Sequence, residues 1–312
     1  MEVHQLQILR ELGALGSVAA VAKMLEVTPS AVSQHLAALQ RGFAAPLTHK
    51  QGRTLVLTEA GRVLADAGAD VLDAIAAARG AVELLEQSPA GTVTVSGFHS
   101  AGQALFGPLL AELRLQAHPP QVRFTDEDVA QEAFPALTAR YDLVIAHRLE
   151  HSPPWPEAGI RALTLALEPL DVAVAADHPR LAGAGALTVE QAAGEQWVTS
   201  RGGYSPDDLL GAVAAVANRH VDVVHRINDY GTVLAVVAAS EVVGIVPRYT
   251  SARDRREDVV LRPLMGLRAR RSIDLLARPE NLRRRSVRLV AAALQRVVER
   301  LAGSQPPPSR IG

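Results

Sequence analysis

Short polar side chains cover one face of a helix that the sequence predicts near its start, over residues 29–39. Thr28 is expected to cap this helix, and Pro29 suits its first turn because an N–H there would have no partner within the helix. The face opposite the apolar positions presents Ser30, Ser33, Gln34 and His35. Serine and glutamine can bond base edges or phosphates without steric bulk, so this face suits the DNA major groove.

Two basic residues follow at a predicted hairpin. Lys50 and Arg53 flank Gly52, which permits a tight turn, and Thr54 leads into an apolar strand. Cations at the tip of such a hairpin can contact phosphates or the minor groove. The hairpin therefore predicts a wing that holds the DNA backbone beside the polar helix.

Two further helices are predicted upstream. Residues 3–15 repeat apolar side chains close to the 3.6-residue period of an amphipathic helix, and Ser17 is expected to cap a helix over residues 18–25. Together with the polar helix and the basic hairpin, they predict a helical winged helix-turn-helix in residues 1–58. The predicted DNA contacts are Ser17, Thr28, Pro29, Ser30, Ser33, Gln34, His35, Lys50, Arg53 and Thr54.

A long helix is predicted next, over residues 59–88, with Thr58 as its cap. Its apolar residues recur at spacings of three and four, which favours pairing with the same helix of a second copy. Packing within one chain is the alternative. The predicted dimer contacts are Leu64, Val71, Ile75, Val82 and Leu85.

This segment resembles the winged helix-turn-helix and linker helix of LysR-type transcriptional regulators. The shared positions are Ala19, Ala20 and Leu25, the run Pro29 to Ser33, Leu39, Pro46, Leu47, Gly52, Arg53 and the run Leu57 to Gly61. The chain departs from the usual pattern at Gln40, Ala44, Thr48 and Lys50, where the family usually has Glu, Gly, Phe and Arg. These departures bear on DNA affinity and on the packing of the wing more than on the fold.

The remaining chain alternates predicted strands and helices, which is typical of an α/β fold with a mostly parallel sheet. The resemblance implies two Rossmann-like lobes of periplasmic-binding-protein type, joined to the DNA-binding part by the long helix. The predicted effector-binding domain covers residues 91–303, with lobe 1 in about 91–167 and 268–303 and lobe 2 in about 168–267. Residues 304–312 are predicted to form a flexible tail.

The resemblance also implies a ligand in the cleft between the lobes, where strands end and helices begin. Ser100 and Thr199 are expected to hold a carboxylate, and Arg148 or Arg201 to pair with it through two hydrogen bonds. The alternative is that these side chains only cap helices and line loops. The predicted effector contacts are His99, Ser100, Ala101, His147, Arg148, Thr199, Ser200, Arg201, Asp229, Tyr230, Thr232 and Pro247.

Composition narrows the classes of function. The chain has no cysteine, which excludes disulfides and thiol redox sensing, and its N-terminus does not resemble a signal peptide. No apolar run reaches the roughly 18 residues of a membrane span, so we expect a cytoplasmic protein with no membrane partner. The formal net charge of −1 predicts modest DNA affinity for one domain, and tight binding then needs two or more copies together.

The sequence gives little support for a metal site, a cofactor site or a catalytic site. His147 and His151 are four residues apart without a third ligand nearby, so no metal site is expected, and no cofactor motif is present. No catalytic residues are predicted, because the motifs of nucleophilic and metal-dependent hydrolases are missing. The run Asp126 to Asp128 is expected to be solvated. The same is expected of an arginine-rich set near the C-terminus: Arg268, Arg270, Arg271, Arg283, Arg284, Arg285 and Arg288.

The sequence thus predicts a ligand-responsive transcriptional regulator that reads an interrupted dyad in double-stranded DNA as a homodimer or a dimer of dimers. Its expected partners are a small-molecule effector, for which a carboxylate is one candidate class, and RNA polymerase if the protein is an activator. Two alternatives from other classes are a small-molecule-binding module and an α/β enzyme with a helical accessory domain.

Overall fold

A computed structural model describes residues 1–52, 54–85, 91–156, 159–183 and 185–303. The N-terminal part consists of α1 (Val3–Leu15), α2 (Val18–Met24), α3 (Pro29–Gln40), the antiparallel hairpin β1 (Thr48–Gln51) and β2 (Thr54–Leu57), and α4 (Glu59–Leu85).

Hydroxyl side chains cap the N-termini of α2, α3 and α4, as predicted. Ser17 Oγ accepts a hydrogen bond from the Ala20 N–H at 3.2 Å, and Thr28 Oγ1 accepts one from the Ala31 N–H at 3.2 Å. Thr58 Oγ1 likewise accepts from the Gly61 N–H at 3.0 Å, where α4 begins. The predicted helices over 29–39 and 18–25 are confirmed within one residue at each end.

The long helix leaves the winged domain through a close contact. A Cβ atom at Gly61 would lie 2.0 Å from the backbone oxygen of Leu47, so only glycine fits this crossing of helix and wing. The described part of α4 ends at Leu85, and residues 86–88 of the predicted linker lie outside the described residues.

The C-terminal part alternates strands and helices. Its strands are β3 (Thr92–Gly97), β4 (Gln121–Asp126), β5 (Leu143–Leu149), β6 (Arg161–Ala175), β7 (Gln196–Thr199), β8 (Asp222–Arg226), β9 (Val243–Pro247), β10 (Val259–Arg262) and β11 (Arg270–Ala277). Its helices are α5 (His99–Ala101), a π-helical segment (Gly102–Phe106), α6 (Gly107–Leu113), α7 (Phe134–Leu137), α8 (Val189–Ala193), α9 (Ser205–Ala217), α10 (Tyr230–Ala238), α11 (Pro279–Arg283) and α12 (Arg285–Gly303), with 3-10 turns at Gln131–Ala133 and Ala252–Asp254.

Nine strands of the described residues form one sheet in the order β4-β3-β5-β11-β6-β9-β7-β8, with β10 paired to β6. The outer pairs are parallel, but β11 and β6 pair antiparallel with their neighbours, so the prediction of a mostly parallel sheet holds only away from the centre. The reason is that β6 runs through both halves of the sheet. Its first part pairs with β11 as far as Pro169, and its second part pairs with β9 from Leu170.

Two predicted elements need correction. The sequence predicts a strand over residues 170–175, and this strand is the second half of β6, which begins earlier, at Arg161. The sequence also predicts a helix over residues 130–140, but helical structure there is limited to the 3-10 turn and α7. Backbone N–H groups of residues 138–140 bond to carbonyls three residues back, which tightens the chain and ends the helix.

Separate apolar cores lie on the two sides of the crossing strands. One joins β3, β5 and β11 to the apolar face of α12, and it includes Phe98 and Phe134. Another joins β6, β7 and β9 to α9 and contains the buried indole of Trp197, which donates to the Ala192 carbonyl at 3.1 Å. Two compact bodies linked by strands leave a cleft between them. Among the described residues, no helix has the length and apolar character needed to cross a bilayer.

Candidate DNA-binding face and interlobe cleft

The outer face of α3 is polar and open to solvent. Ser30, Ser33 and Gln34 are exposed there, while Val32 and Leu36 on the opposite face are buried in the winged domain. Ser33 Oγ donates to the Pro29 carbonyl at 3.0 Å, which leaves its lone pairs facing outwards. These side chains can reach a partner without any rearrangement of the helix.

His35 differs from the other predicted contacts of α3. It is half-buried, and its ring lies edge-to-face on His4 of α1, with 4.0 Å between the ring centroids. Because α3 turns 100° per residue, position 35 faces α1, while positions 33 and 34 face solvent. His35 therefore also makes a contact within the domain, and its role toward the bases stays a prediction.

The wing is held by a residue that departs from the usual family pattern. The Gln40 amide donates to the carbonyls of Phe43 and Ala45 at 3.1 and 2.9 Å, and its oxygen accepts from the Leu47 N–H at 2.7 Å. Lys50 is exposed at the tip, and Thr54 Oγ1 donates to the Gln51 carbonyl at 2.9 Å. Arg53 lies outside the described residues. The hydroxyls of Ser17 and Thr28 act as helix caps.

The apolar stripe of α4 divides between two environments. Leu64 is half-buried and packs against the core of its own winged domain, where α4 lies against α1, and its role in a dimer stays a prediction. Val71 and Val82 are exposed, at 41% and 54%, and Val63 joins them at 61%. Ile75 is half-buried beside α1, and the side chain of Leu85 lies outside the described residues. An exposed apolar face therefore remains along much of the helix.

The cleft is closed around a buried guanidinium. Arg271 of β11 bonds Glu168 Oε2 through Nε at 2.9 Å and Thr250 Oγ1 through Nη2 at 2.8 Å, with Ser100 Oγ at 3.5 Å. It also lies over the ring of Phe98, 4.9 Å from the centroid. This residue was missed, because the sequence places it in an arginine-rich run for which solvation is expected.

Other arginines of that run are also engaged in ion pairs. Arg283 bonds Asp73 of α4, and Arg284 bonds Asp142 at 2.7 Å. Arg270 pairs with Glu150 at the protein surface. The run is therefore structural rather than a simple solvated face.

His147 contributes a neutral imidazole to the cleft. Its Nδ1 lies 3.0 Å from Ser205 Oγ at the start of α9, which joins the two lobes. Its ring packs edge-on against Phe98 and Phe134. Burial holds the pKa of His147 well below its usual value, and the nearby Arg271 adds to that effect.

Arg148 points away from the cleft. Successive side chains of a strand face opposite sides of the sheet, so the inward position of His147 turns Arg148 outwards. There its Nε lies 3.2 Å from Asp274 Oδ2, a carboxylate that also accepts from the Trp155 indole at 2.7 Å. The predicted bidentate role of Arg148 toward an effector is therefore corrected to a structural ion pair.

The mouth of the cleft carries charged pairs. His99 Nδ1 lies 2.7 Å from Asp126 Oδ2, and its Nε2 lies 3.6 Å from Asp229 Oδ2. The hydrogen bond that His99 donates to Asp126 raises the pKa of His99 above its usual value, against the opposing effect of burial. Asp229 also caps α10, accepting from the Thr232 N–H at 2.8 Å. Asp126 is thus paired at the rim, which refines the expectation of simple solvation.

A second rim contact bridges the lobes through Asp128. Its carboxylate accepts from Asn228 at 3.1 Å and from Arg201 at 3.3 Å, and its backbone oxygen accepts from the Tyr204 hydroxyl at 2.8 Å. Arg201 is therefore occupied by a carboxylate of the protein in this closed form. Asn228 and Tyr204 are further residues that the sequence did not single out.

The remaining predicted effector contacts lie deeper. Thr199 is buried, and its hydroxyl has no partner within the described part of the chain, while Ser200 Oγ accepts from the Asp207 N–H at 3.2 Å. Ala101 is buried in the apolar core of lobe 1, and the Pro247 carbonyl accepts from Ser251 Oγ. The structure brings together around one cavity Phe98, His99, Ser100, His147, Ser200, Tyr230 and Arg271. Its volume of about 20 Å³ is that of a single water molecule.

Comparison with known proteins identifies both parts of the chain. Residues 3–62 match the model of the bacterial regulatory helix-turn-helix protein, lysR family, and residues 86–299 match the LysR substrate binding domain. The chain belongs to the LysR family of transcriptional regulators. The predicted fold class, a winged helix-turn-helix joined by a long helix to two α/β lobes, is confirmed.

Relatives of this LysR-type regulator share modest identity. An HTH-type transcriptional regulator of Bacillus subtilis, YybE, is 25% identical over 79% of this chain and 82% of its own length. A probable cat1 operon transcriptional activator of Acinetobacter lwoffii is 26% identical over 80% of each chain.

Solved structures show the same fold along the whole chain. A full-length OxyR variant from Pseudomonas aeruginosa superposes with a TM-score of 0.65 at 19% identity, covering 95% of both chains. Full-length CbnR complexed with its target DNA gives 0.52 at 20% identity, covering 96% of this chain and all of that one. Because this LysR-type regulator contains no cysteine, it cannot signal through a thiol or a disulfide of its own.

Proposed function

We propose that this LysR-type regulator reads an interrupted dyad with the exposed face of α3, and that a small carboxylate in the interlobe cleft controls it. The observation that carries the effector site is the buried guanidinium of Arg271 beside the Ser100 hydroxyl, enclosed by groups from both lobes. A carboxylate at this point can accept from both residues. The protein then acts by binding, with no chemical step.

The closed cleft gives the regulator a two-state device. In the closed form, Arg271 is bonded to Glu168 and Thr250, and His147 is bonded to Ser205. The cavity beside them is too small for a ligand. A carboxylate can enter only when the lobes separate, and it then replaces some of these bonds. An effector shifts the equilibrium between the two forms by its difference in affinity for them.

The exposed side chains of Val71 and Val82, on one face of α4, support a homodimer through this helix. Apolar side chains at these exposures on one helix gain burial when they pair with a second copy. Val71→Asp should dissociate the dimer in sedimentation velocity, with Asp66→Asn on the same helix as a control that adds no buried charge. An unchanged sedimentation coefficient for Val71→Asp would place the interface elsewhere.

A gel shift on the DNA upstream of the protein's own coding region tests the central claim. A specific shift that weakens as salt is raised is expected, because phosphate contacts release counterions. Adding small carboxylates to the same reaction should alter the shift when the cleft binds one of them. A folded protein that binds only non-specific competitor DNA would exclude this promoter as its operator.

A further inference from the structure

A short segment of lobe 1, residues 127–131, lies at the mouth of the cleft and contacts lobe 2. It follows β4 and ends in the first residue of the 3-10 turn at Gln131–Ala133. The Gln131 N–H donates to the Gly203 carbonyl at 3.1 Å, which adds a backbone hydrogen bond to the contacts that Asp128 makes with lobe 2. We call this segment the rim strap.

The rim strap is attached to lobe 1 on both sides of Asp128. On one side, the Glu127 carboxylate pairs with Arg140 at 3.2 Å. On the other side, the Gln131 side-chain oxygen accepts from the Leu149 N–H at 3.3 Å. The strap is therefore expected to move with lobe 1, and a separation of the lobes must break its hydrogen bonds to lobe 2.

Three donors of lobe 2 converge on Asp128. Its carboxylate accepts from Asn228 at 3.1 Å and from Arg201 at 3.3 Å, and its backbone oxygen accepts from the Tyr204 hydroxyl at 2.8 Å. Asp128, Tyr204 and Asn228 also line the cavity beside Arg271. The residue that holds these donors of lobe 2 therefore lies in the wall of the proposed effector site.

The side-chain contacts of Asp128 are accessible to water, unlike those deeper in the cleft. The Asp128 side chain is 38% exposed, and that of Arg201 is 63% exposed. Water can replace each of these bonds as it breaks, which keeps the cost in free energy modest. The bond between His147 and Ser205 is buried, so water reaches it only after the lobes have begun to separate. Opening therefore starts most easily at the rim strap.

We infer that the rim strap is an autoinhibitory latch, in which Asp128 holds the cleft shut by occupying donors of lobe 2. The latch sets the fraction of molecules whose cleft is open, and an effector binds only that fraction. Weakening the latch raises this fraction without altering Arg271 or Ser100. The inference rests on the proposed effector role of the cleft, but it concerns opening in the absence of any effector.

The alkylation rate of a cysteine beside the closed cavity measures this opening, because the chain has no other thiol. Ser100→Cys places the reporter thiol at a buried position in the cavity wall. Iodoacetamide is too large for a cavity of about 20 Å³, so it reacts only with open molecules. When reclosing is faster than alkylation, a fold-change in the rate equals the fold-change in the opening constant.

Asp128→Ala in the Ser100→Cys chain should raise the alkylation rate about threefold to tenfold, because two side-chain bonds between the lobes are lost. Glu127→Gln is the matched control: it also removes one carboxylate charge from the strap, but Glu127 pairs with Arg140 and Tyr141 of its own lobe. Its rate should stay within about twofold of that of the unaltered strap.

Two outcomes of this comparison would overturn the latch. One is an equal rate rise in Asp128→Ala and Glu127→Gln, or no rise in either. The other is a rate in the unaltered strap as fast as in the urea-unfolded chain, because the cleft would then not be closed at all.

A double-mutant cycle connects the effect to the contact between the lobes. Arg201→Ala should raise the alkylation rate as Asp128→Ala does, because each change breaks the same ion pair. The two changes together should raise the rate by less than the product of the single effects. A combined rise equal to that product would mean that the two residues act separately, and it would overturn the latch.

A second reporter separates opening of the cleft from unfolding of a lobe. Ser96→Cys places a thiol in β3, fully buried in lobe 1 and outside the cavity wall. Asp128→Ala should leave the alkylation rate of this reporter unchanged, and an equal rise at both reporters would overturn the latch. These measurements use neither DNA nor a carboxylate. Failure of every carboxylate to bind would therefore contradict the proposed effector and leave the evidence for the latch intact.

Discussion

The polar face of α3 and the polar interior of the cleft hold similar side chains in opposite ways. On α3, Ser33 and Gln34 are exposed, and most of their hydrogen-bonding capacity faces solvent. In the cleft, Arg271 and Ser100 are buried among partners from both lobes. DNA can therefore meet α3 without disturbing the protein, whereas an effector must first open the cleft. Reading and sensing thus carry different conformational costs, and only the second provides a switch.

The strongest test of this contrast removes the buried cation. Arg271→Ala leaves the buried carboxylate of Glu168 without the cation that it pairs with and should lower the free energy of unfolding by about 3–5 kcal/mol. Arg270→Ala, the neighbour on the same strand, breaks only the exposed pair with Glu150 and should cost less than about 1 kcal/mol. Urea denaturation of the two variants measures the difference. Equal losses of unfolding free energy would mean that the buried ion pair of the cleft stabilises the fold no more than the exposed pair at the surface.

A change on α3 should act on DNA alone. Ser33→Glu places a carboxylate against the negative potential of the groove and should reduce specific DNA affinity at least about 100-fold, with folding intact. Ser240→Glu is a matched control, because Ser240 is also exposed and also donates to the carbonyl four residues back. Gel shifts at one salt concentration compare the two. Retained specific binding by Ser33→Glu would show that α3 does not enter the groove at this residue.

Sequence reasoning succeeded where the chemistry is local. The caps at Ser17, Thr28 and Thr58 and the apolar period of the first helices determine the winged domain over short spacings. The exposed positions of α3 follow from the same period, but the contact between His35 of α3 and His4 of α1 does not. A contact between two helices depends on their crossing geometry, which the period of one helix does not contain.

The cleft was harder to predict from the sequence, because its residues contact side chains that are distant in the chain. Arg271 meets Glu168, Thr250 and Ser100 from three other elements, so nothing near residue 271 in the chain marks it as buried. The sequence assigns His147 and Arg148 alike to the cleft because they follow one strand. Only the orientation of that strand decides which of the two faces inwards.

A milder change inside the cleft should separate sensing from reading. Ser100→Val removes the hydroxyl beside Arg271 and should weaken binding of a cleft carboxylate about tenfold, because one hydrogen bond to a charged group is lost. DNA affinity without effector should stay as in the unaltered protein, since Ser100 is far from α3 in the fold. Fluorescence titration and gel shift check the two quantities. Equal losses in both would indicate general damage to the fold.

The smallest expected effect concerns the pH dependence of stability, for which two histidines of the same lobe, His99 and His147, are compared. Burial lowers the pKa of His147, whereas the bond to Asp126 at the rim raises that of His99. A raised pKa in the folded protein means that the His99 pair stabilises fully below the ordinary value of 6.5 and is lost as the pH rises through the folded value.

The unfolding free energies of the unaltered protein and His99→Gln should therefore differ most at acidic pH and converge at alkaline pH. Both partners at the rim are about half exposed, so the difference should stay below about 1 kcal/mol. A difference that grew with pH would mean that His99 is held neutral, as His147 is. The rim would then share the dry environment of the interior, and the boundary between an accessible mouth and a closed cleft would have to be drawn further out.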